Sequence, residues 1–265
     1  MDGVLRTFAN VSWRSLRVWQ RHALVFRRSW WLNFLPPLLE PILYVVAFGL
    51  GLGRLIGSVT YLGQELPYLR FMAPGLIAVA IMYNAYFETT YASFVRMYYQ
   101  RTFDAIVATP LLVEDVIAGE WLWGASKALV ASSIMLGVLG GLGLVHWPSG
   151  LLVVPLAVVG GLLFAGLGLV TTSLSPSIDG FNLPIFLLVF PMFLFSGTFF
   201  PVDTLPGWAL RVAWILPLTH VAALVRGACL AQAPPHWAGS LAYLVGVALA
   251  VSALALVLMR RRLVK

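Results

Sequence analysis

The chain has 265 residues, of which 60% are hydrophobic and 10% charged, and its mean hydropathy is +0.90. Average globular chains are about 45–50% apolar and about 25% charged, so a water-soluble domain of this length could not cover so much apolar surface. That excludes a cytosolic enzyme, a disordered chain and a disulfide scaffold, and the long apolar runs mark an all-α integral membrane protein. The net charge of +7 is better explained by basic residues at cytoplasmic membrane edges than by nucleic-acid binding. The single cysteine, Cys229, cannot form an internal disulfide and reads as a packing residue. The N-terminus shows no short apolar core before a small-residue cleavage site, so no signal peptide is expected.

Residues 1–33 read as an N-terminal interface segment. Over 4–28, Arg6, Arg14, Arg17, Arg21 and Arg28 fall within one arc of about 80° at helical spacing. Leu5, Phe8, Val11, Leu16, Val18, Trp19 and Phe26 take the other side, with Trp13 and Leu24 out of pattern. Such a helix lies along a membrane surface with its arginines toward lipid phosphate.

Residues 34–265 form the membrane domain, with six apolar stretches at 34–53, 71–95, 121–145, 151–174, 181–200 and 238–259. With the N-terminus inside, twelve of the 17 Lys+Arg fall in inner segments and four in outer ones, and Lys127 falls within a span. That bias puts both termini in the cytoplasm, which an even number of spans permits.

Two connections are more than turns. The inner one, 96–120, mixes polar and apolar residues at helical spacing, is cut by Pro110, and holds Asp104, Glu114, Asp115 and Glu120. Short helices that dock on another protein fit this composition. An acid cluster resting on an anionic inner leaflet does not. The outer one, 196–235, stays apolar through 231 but breaks at Pro217. Its halves, 208–216 and 218–231, would be about 14 and 21 Å long, short of the ~30 Å hydrocarbon core. They read as re-entrant or interfacial helices, serving as an exit lip or as plain anchors.

Catalytic chemistry is not legible. Gly119 and Gly124 stand at P-loop spacing, but Gly-Lys-Ser/Thr does not follow and no strand precedes, so any ATP hydrolysis belongs to another chain. His22, His146, His220 and His236 are scattered without ligand spacing, so no metal site is expected. Asp179 and Asp203 fall on opposite sides of the membrane, which leaves no Ser/His/Asp arrangement to argue. Intramembrane ionisable residues are functional candidates by default. They are Glu40, Glu88 and Lys127. Glu88 and Lys127 lie at similar depth on consecutive spans and are expected to pair. Gly137 and Gly141, with Gly160, Gly161, Gly166 and Gly168, suit close helix packing or dimerisation.

The inner connection carries a resemblance. Arg101-Thr102-Phe103-Asp104-Ala105, Ala108-Thr109-Pro110-Leu111, Glu114-Asp115-Val116 and Gly119-Glu120 resemble the signature of ABC-2-type membrane permeases. Trp123-Gly124-Ala125-Ser126-Lys127-Ala128 looks like the NodJ branch, linked to lipo-oligosaccharide export. So do the outer runs Ser196-Gly197-Thr198-Phe199-Phe200-Pro201 and Leu216-Pro217-Leu218-Thr219-His220, with Arg226. The resemblance implies a non-enzymatic permease subunit of the bacterial inner membrane. It implies a separate ATP-binding cassette subunit holding ATP and Mg, and a second permease copy. Residues 101–120 would couple the spans to the cassette, and the helices after the fifth span would shape an outer exit for an amphiphile. An apolar drug is the alternative cargo. An ion-coupled secondary transporter is the alternative mechanism, disfavoured by the missing acid or histidine relay.

Overall fold

A computed structural model describes residues 11–263. Leu5, Arg6 and Phe8 of the expected interface helix, and Lys265 of the tail, lie outside the described residues. Helix α1 (Ser15–Arg28) and helix α2 (Trp30–Ala47) are separated by Ser29. A small hairpin follows, β1 (Ser58–Tyr61) with β2 (Gln64–Pro67), pairing Val59 with Leu66. Then come α3 (Tyr68–Tyr99), the short α4 (Thr102–Val107), α5 (Val113–Gly141), α6 (Ser149–Leu174), α7 (Asp179–Phe195), α8 (Gly207–Ile215), α9 (Pro217–Leu230) and α10 (Trp237–Leu263).

Among the described residues five helices are long and apolar enough to cross a membrane: α2, α3, α5, α6 and α10. In lipid every backbone group must bond within its own segment, which is why these apolar runs fold as helices. The shorter α7, with Pro184 and Pro191 in it, spans about 25 Å. The α8–α9 pair bends by 85° at Leu216, where the backbone is extended and Pro217 starts the next helix. Neither leg is long enough to cross alone, as the spacing around Pro217 predicts.

The third and fifth apolar stretches differ from the sequence reading in their bounds. The third span begins at Val113, not at 121, and residues 142–145 lie beyond its end. Its 29 residues make a rod of about 43 Å, so roughly two turns project past a 30 Å core. The fifth apolar stretch stops being helical at Phe195, and 196–200 form a turn.

Helix α3 is the central post, packed by α5, α6 and α9. Hydrophobicity gives little drive between helices in lipid, so close approach decides the packing. A Cβ on Gly168 would stand 2.7 Å from the Tyr86 carbonyl, and one on Gly124 would stand 2.6 Å from the Thr89 methyl. The α6 glycines therefore serve contacts within the chain, whereas Gly137 and Gly141 face open space. Between Phe71 and Met97 every residue of α3 is buried except four pairs: 83/84, 87/88, 91/92 and 95/96. These half-buried pairs form one stripe. Two π-turns, Glu88–Ala92 and Val95–Tyr99, interrupt α3 along it.

Candidate functional site

The arginines of α1 and the Arg260–Arg262 run of α10 mark one face of the molecule, the basic face. There the 96–120 connection closes on itself. Arg96 Nε donates to Glu120 Oε1 at 3.0 Å, and Arg96 Nη2 donates to Oε2 at 2.5 Å. Its Nη1 donates to Glu88 Oε1 at 2.8 Å, an oxygen that also accepts from Trp123 Nε1 at 3.0 Å. Glu120 has no exposed surface. His22 of α1 brings Nε2 to 2.9 Å from Glu120 Oε1, near enough for an ion pair but off the line of a good hydrogen bond. The His22 ring stacks on Trp123. One guanidinium thus joins two carboxylates, one from its own helix and one from α5, in the bidentate manner that suits arginine.

Around this neck, α1 is pinned to the start of α5. Its buried face is Ser15, Val18 and His22, an i, i+3, i+7 set that faces one way on a helix. A Cβ on Gly119 would stand 2.5 Å from Val18 Cβ, so only glycine lets the two helices approach this closely. Asp115 accepts from the Ser12 backbone N–H (2.8 Å) and hydroxyl (3.0 Å), and from the Leu112 backbone N–H (3.2 Å). Arg14 donates to the Pro110 carbonyl at 2.7 Å. Glu114 pairs with Arg260 of α10 at 3.2 Å. Arg262 donates to the carbonyls of Thr172 and Ser175 at the end of α6, a basic side chain satisfying the last carbonyls of a helix.

These placements divide the sequence-stated loop residues into two groups. Glu114, Asp115, Gly119 and Glu120 are buried in helix α5 and hold the chain together. This corrects their reading as parts of a short, separate docking helix. Charged residues in the first turns of α5 lowered its hydropathy, but each is partnered. Arg101, Asp104 and Pro110 are exposed at the tip, with Ala105, Val107, Ala108, Thr109 and Leu112. Thr102 and Phe103 are buried beneath it. Arg101 has φ +49° just before α4, a left-handed conformation uncommon outside glycine and asparagine.

The expected Glu88–Lys127 pair is not formed. Glu88 takes Arg96 and Trp123, while Lys127 Nζ donates to Asn33 Oδ1 of α2 at 2.9 Å. Both residues nevertheless line one cleft of about 460 Å³ between α1, α2, α3 and α5. His22, Asn33, Arg96 and Trp123 are the site residues that sequence reasoning missed. The spacing of Ser15, Val18 and His22 on the less charged side of α1 was the available signal.

On the opposite face, the outer residues also gather. Arg226 of α9 is buried without a carboxylate partner among the described residues. It donates from Nε to the Phe71 carbonyl (3.0 Å) and from Nη2 to the Gly197 carbonyl (2.7 Å), over the Phe71 ring at 4.1 Å. Gly197 turns the chain with φ +72°, where a side chain would be strained. Ser196 and Thr198 share a hydrogen bond of 2.8 Å, and Phe199 packs edge-on against Phe193. Phe200 and Pro201 are half-buried in the same turn. His220 hydrogen-bonds Ser240 of α10 (3.0 Å) and the Trp214 carbonyl (2.9 Å), and stacks on Tyr243. Together with Pro217 it fixes the 85° bend against the last helix.

A post of buried helix, a pinned surface helix, a protruding tip on one face and a bent helix pair on the other make up a multi-pass membrane protein. The family model for ABC-2 type transporters matches residues 16–230, and the chain belongs to that family. It is 39% identical to nodulation protein J of Rhizobium leguminosarum bv. viciae over 82% of each chain. It is 35% identical to nodulation protein J of Rhizobium meliloti over 95% of this chain and 94% of that one. Against nodulation protein J of Bradyrhizobium diazoefficiens it is 33% identical over 100% and 99%. Membership of an ABC family displaces the ion-coupled alternative.

Proposed function

We propose that the chain is the membrane half of an ATP-driven exporter that carries a lipid-linked saccharide or similar amphiphile outward. ATP and Mg sit on a separate cassette subunit, and two permease copies face each other. The basic face is cytoplasmic, so both termini lie on the cytoplasmic side of the bacterial inner membrane.

The observation that supports this reading is the division of the 96–120 connection into a buried neck and an exposed tip. The tip, around Asp104 and Pro110, is free to meet a cassette subunit. The neck joins the tip to α1, α3, α5 and α10 through Arg96–Glu120, Asp115–Ser12 and Glu114–Arg260. A push on the tip therefore reaches four helices through these contacts. The likeness to nodulation protein J relatives supports a lipo-oligosaccharide cargo over a drug.

The test is gentle purification of the tagged chain with its native partners, then reconstitution into vesicles with a fluorescent acylated oligosaccharide. A near-equimolar partner with a P-loop, and ATP- and Mg-dependent movement of the label, is the expected result. A chain that purifies alone, or moves a hydrophobic dye and not the glycolipid, would overturn the reading.

A further inference from the structure

Lys127 sits where two clefts meet. The 460 Å³ cleft lies on the side of α1 and α2, with Arg21, Phe26 and Asn33 in its wall. A second cleft of about 310 Å³ continues along the half-buried stripe of α3 past Tyr91, Phe87 and Asn84. Lys127 lies seven residues beyond Glu120 on α5, about 10 Å further along the helix axis.

The surroundings of this ammonium are incomplete. It donates one hydrogen bond, to Asn33, and lies 4.9 Å from the centre of the Phe26 ring. It makes no ion pair among the described residues. The two carboxylates of the region are taken, Glu88 by Arg96 and Trp123, Glu120 by Arg96 and His22. An ammonium has three donors, so two remain for other acceptors. A cation at membrane depth is costly without a counter-charge, and such residues normally pair. Glu88 shares both cleft walls with Lys127 and attracts it from a distance, but it does not touch the ammonium, which faces open cleft.

We propose that this cleft binds a phosphate-type oxyanion carried on the head of an acylated amphiphile. Lys127 supplies the countercharge, and Asn33 holds the ammonium in place. Arg21 adds a second positive charge in the cleft wall. Phe26 and Val25, which also line the cleft, offer apolar surface to the first methylenes of the tail. Calling the ligand cargo rests on the exporter reading, whereas the binding site does not.

The experiment uses the full chain in a neutral detergent, with binding followed by native mass spectrometry. The probes are phosphatidylglycerol, diacylglycerol with the same tails, and inorganic phosphate. Phosphatidylglycerol is expected to bind about tenfold or more weakly to Lys127→Met and within about threefold of normal to Lys127→Arg. Diacylglycerol should not distinguish the variants. Inorganic phosphate competing with the lipid in a Lys127-dependent way would support the oxyanion site with a soluble source. Equal phosphatidylglycerol binding by Lys127→Met and the unaltered chain would overturn the site. If Lys127→Met folds poorly, Arg21→Gln reads the same binding, with about a threefold loss expected and no loss refuting it. Unchanged lipid binding in Lys127→Met with transport intact counts against this site alone. Normal binding with no ATP-driven transport counts against the exporter reading alone.

Discussion

Glu120→Gln removes one charge from a fully buried position and leaves the Arg96 guanidinium with Glu88 as its remaining carboxylate. Breaking a buried ion pair by removing one member costs about 3–5 kcal/mol, and the surviving Glu88 contact puts this case near about 3 kcal/mol. A chain of this size loses about 2–4 °C per kcal/mol, so Tm should fall by about 6–12 °C. Cys229 supplies the assay. It is the only cysteine and has no exposed surface, so a thiol-reactive fluorophore lights up as the helices come apart. Arg96→Met should cost a similar amount, because it strands two acids. The double variant should fall short of the sum by about 2 kcal/mol, the signature of groups that share one network. Additivity to within about 0.5 kcal/mol would refute the neck as a coupled unit.

Asp104→Arg, at the exposed tip, should leave Tm within about 2 °C, as surface substitutions do, yet reduce the cassette subunit recovered in a pull-down. A large fall in Tm would show the tip to be structural. Gly119→Val should cost about 1–3 kcal/mol by driving α1 off α5, read as faster proteolysis within 12–28 and weaker ATPase stimulation. Protection equal to the unaltered chain would count against the close approach at Val18. Arg226→Lys should not rescue Arg226→Met: both strand a carbonyl at Phe71 or Gly197, at about 1–3 kcal/mol each, because lysine lacks the planar fork. Equal Tm for Arg226→Lys and the unaltered chain would show that charge alone suffices.

The apolar runs were legible because lipid forces each to bond within itself, which leaves a hydropathy signal about 20 residues long. The start of α5 was not. Glu114, Asp115 and Glu120 read as part of short helices docking on another protein because hydropathy counts a charge without knowing its partner, and here Arg260, Ser12 and Arg96 are those partners. The outer turn was legible in part: Pro217 announced the bend, but nothing local to Arg226 names two carbonyls 155 and 29 residues away. The partner of Glu88 was missed for a geometric reason. Glu88 and Arg96 are eight residues apart, which puts them about 80° apart around a regular helix and about 12 Å along it. Only the departure from regular geometry between them lets Arg96 reach back.

That departure has a consequence for how this helix tolerates change. A stripe repeating every four residues drifts by about 40° per step around a regular α-helix, so four pairs would spiral away from a common wall. The wider π-turns at Glu88–Ala92 and Val95–Tyr99, with their longer i→i+5 bonds, absorb that drift and hold the stripe in line. Each turn in effect stores one inserted residue. Winding the same residues as a regular α-helix would swing everything beyond such a turn by about 100°, carrying Arg96 away from Glu120. Winding is thus a quantity this stretch is not free to change: a substitution that straightens either turn would misplace Arg96 without touching any of its partners.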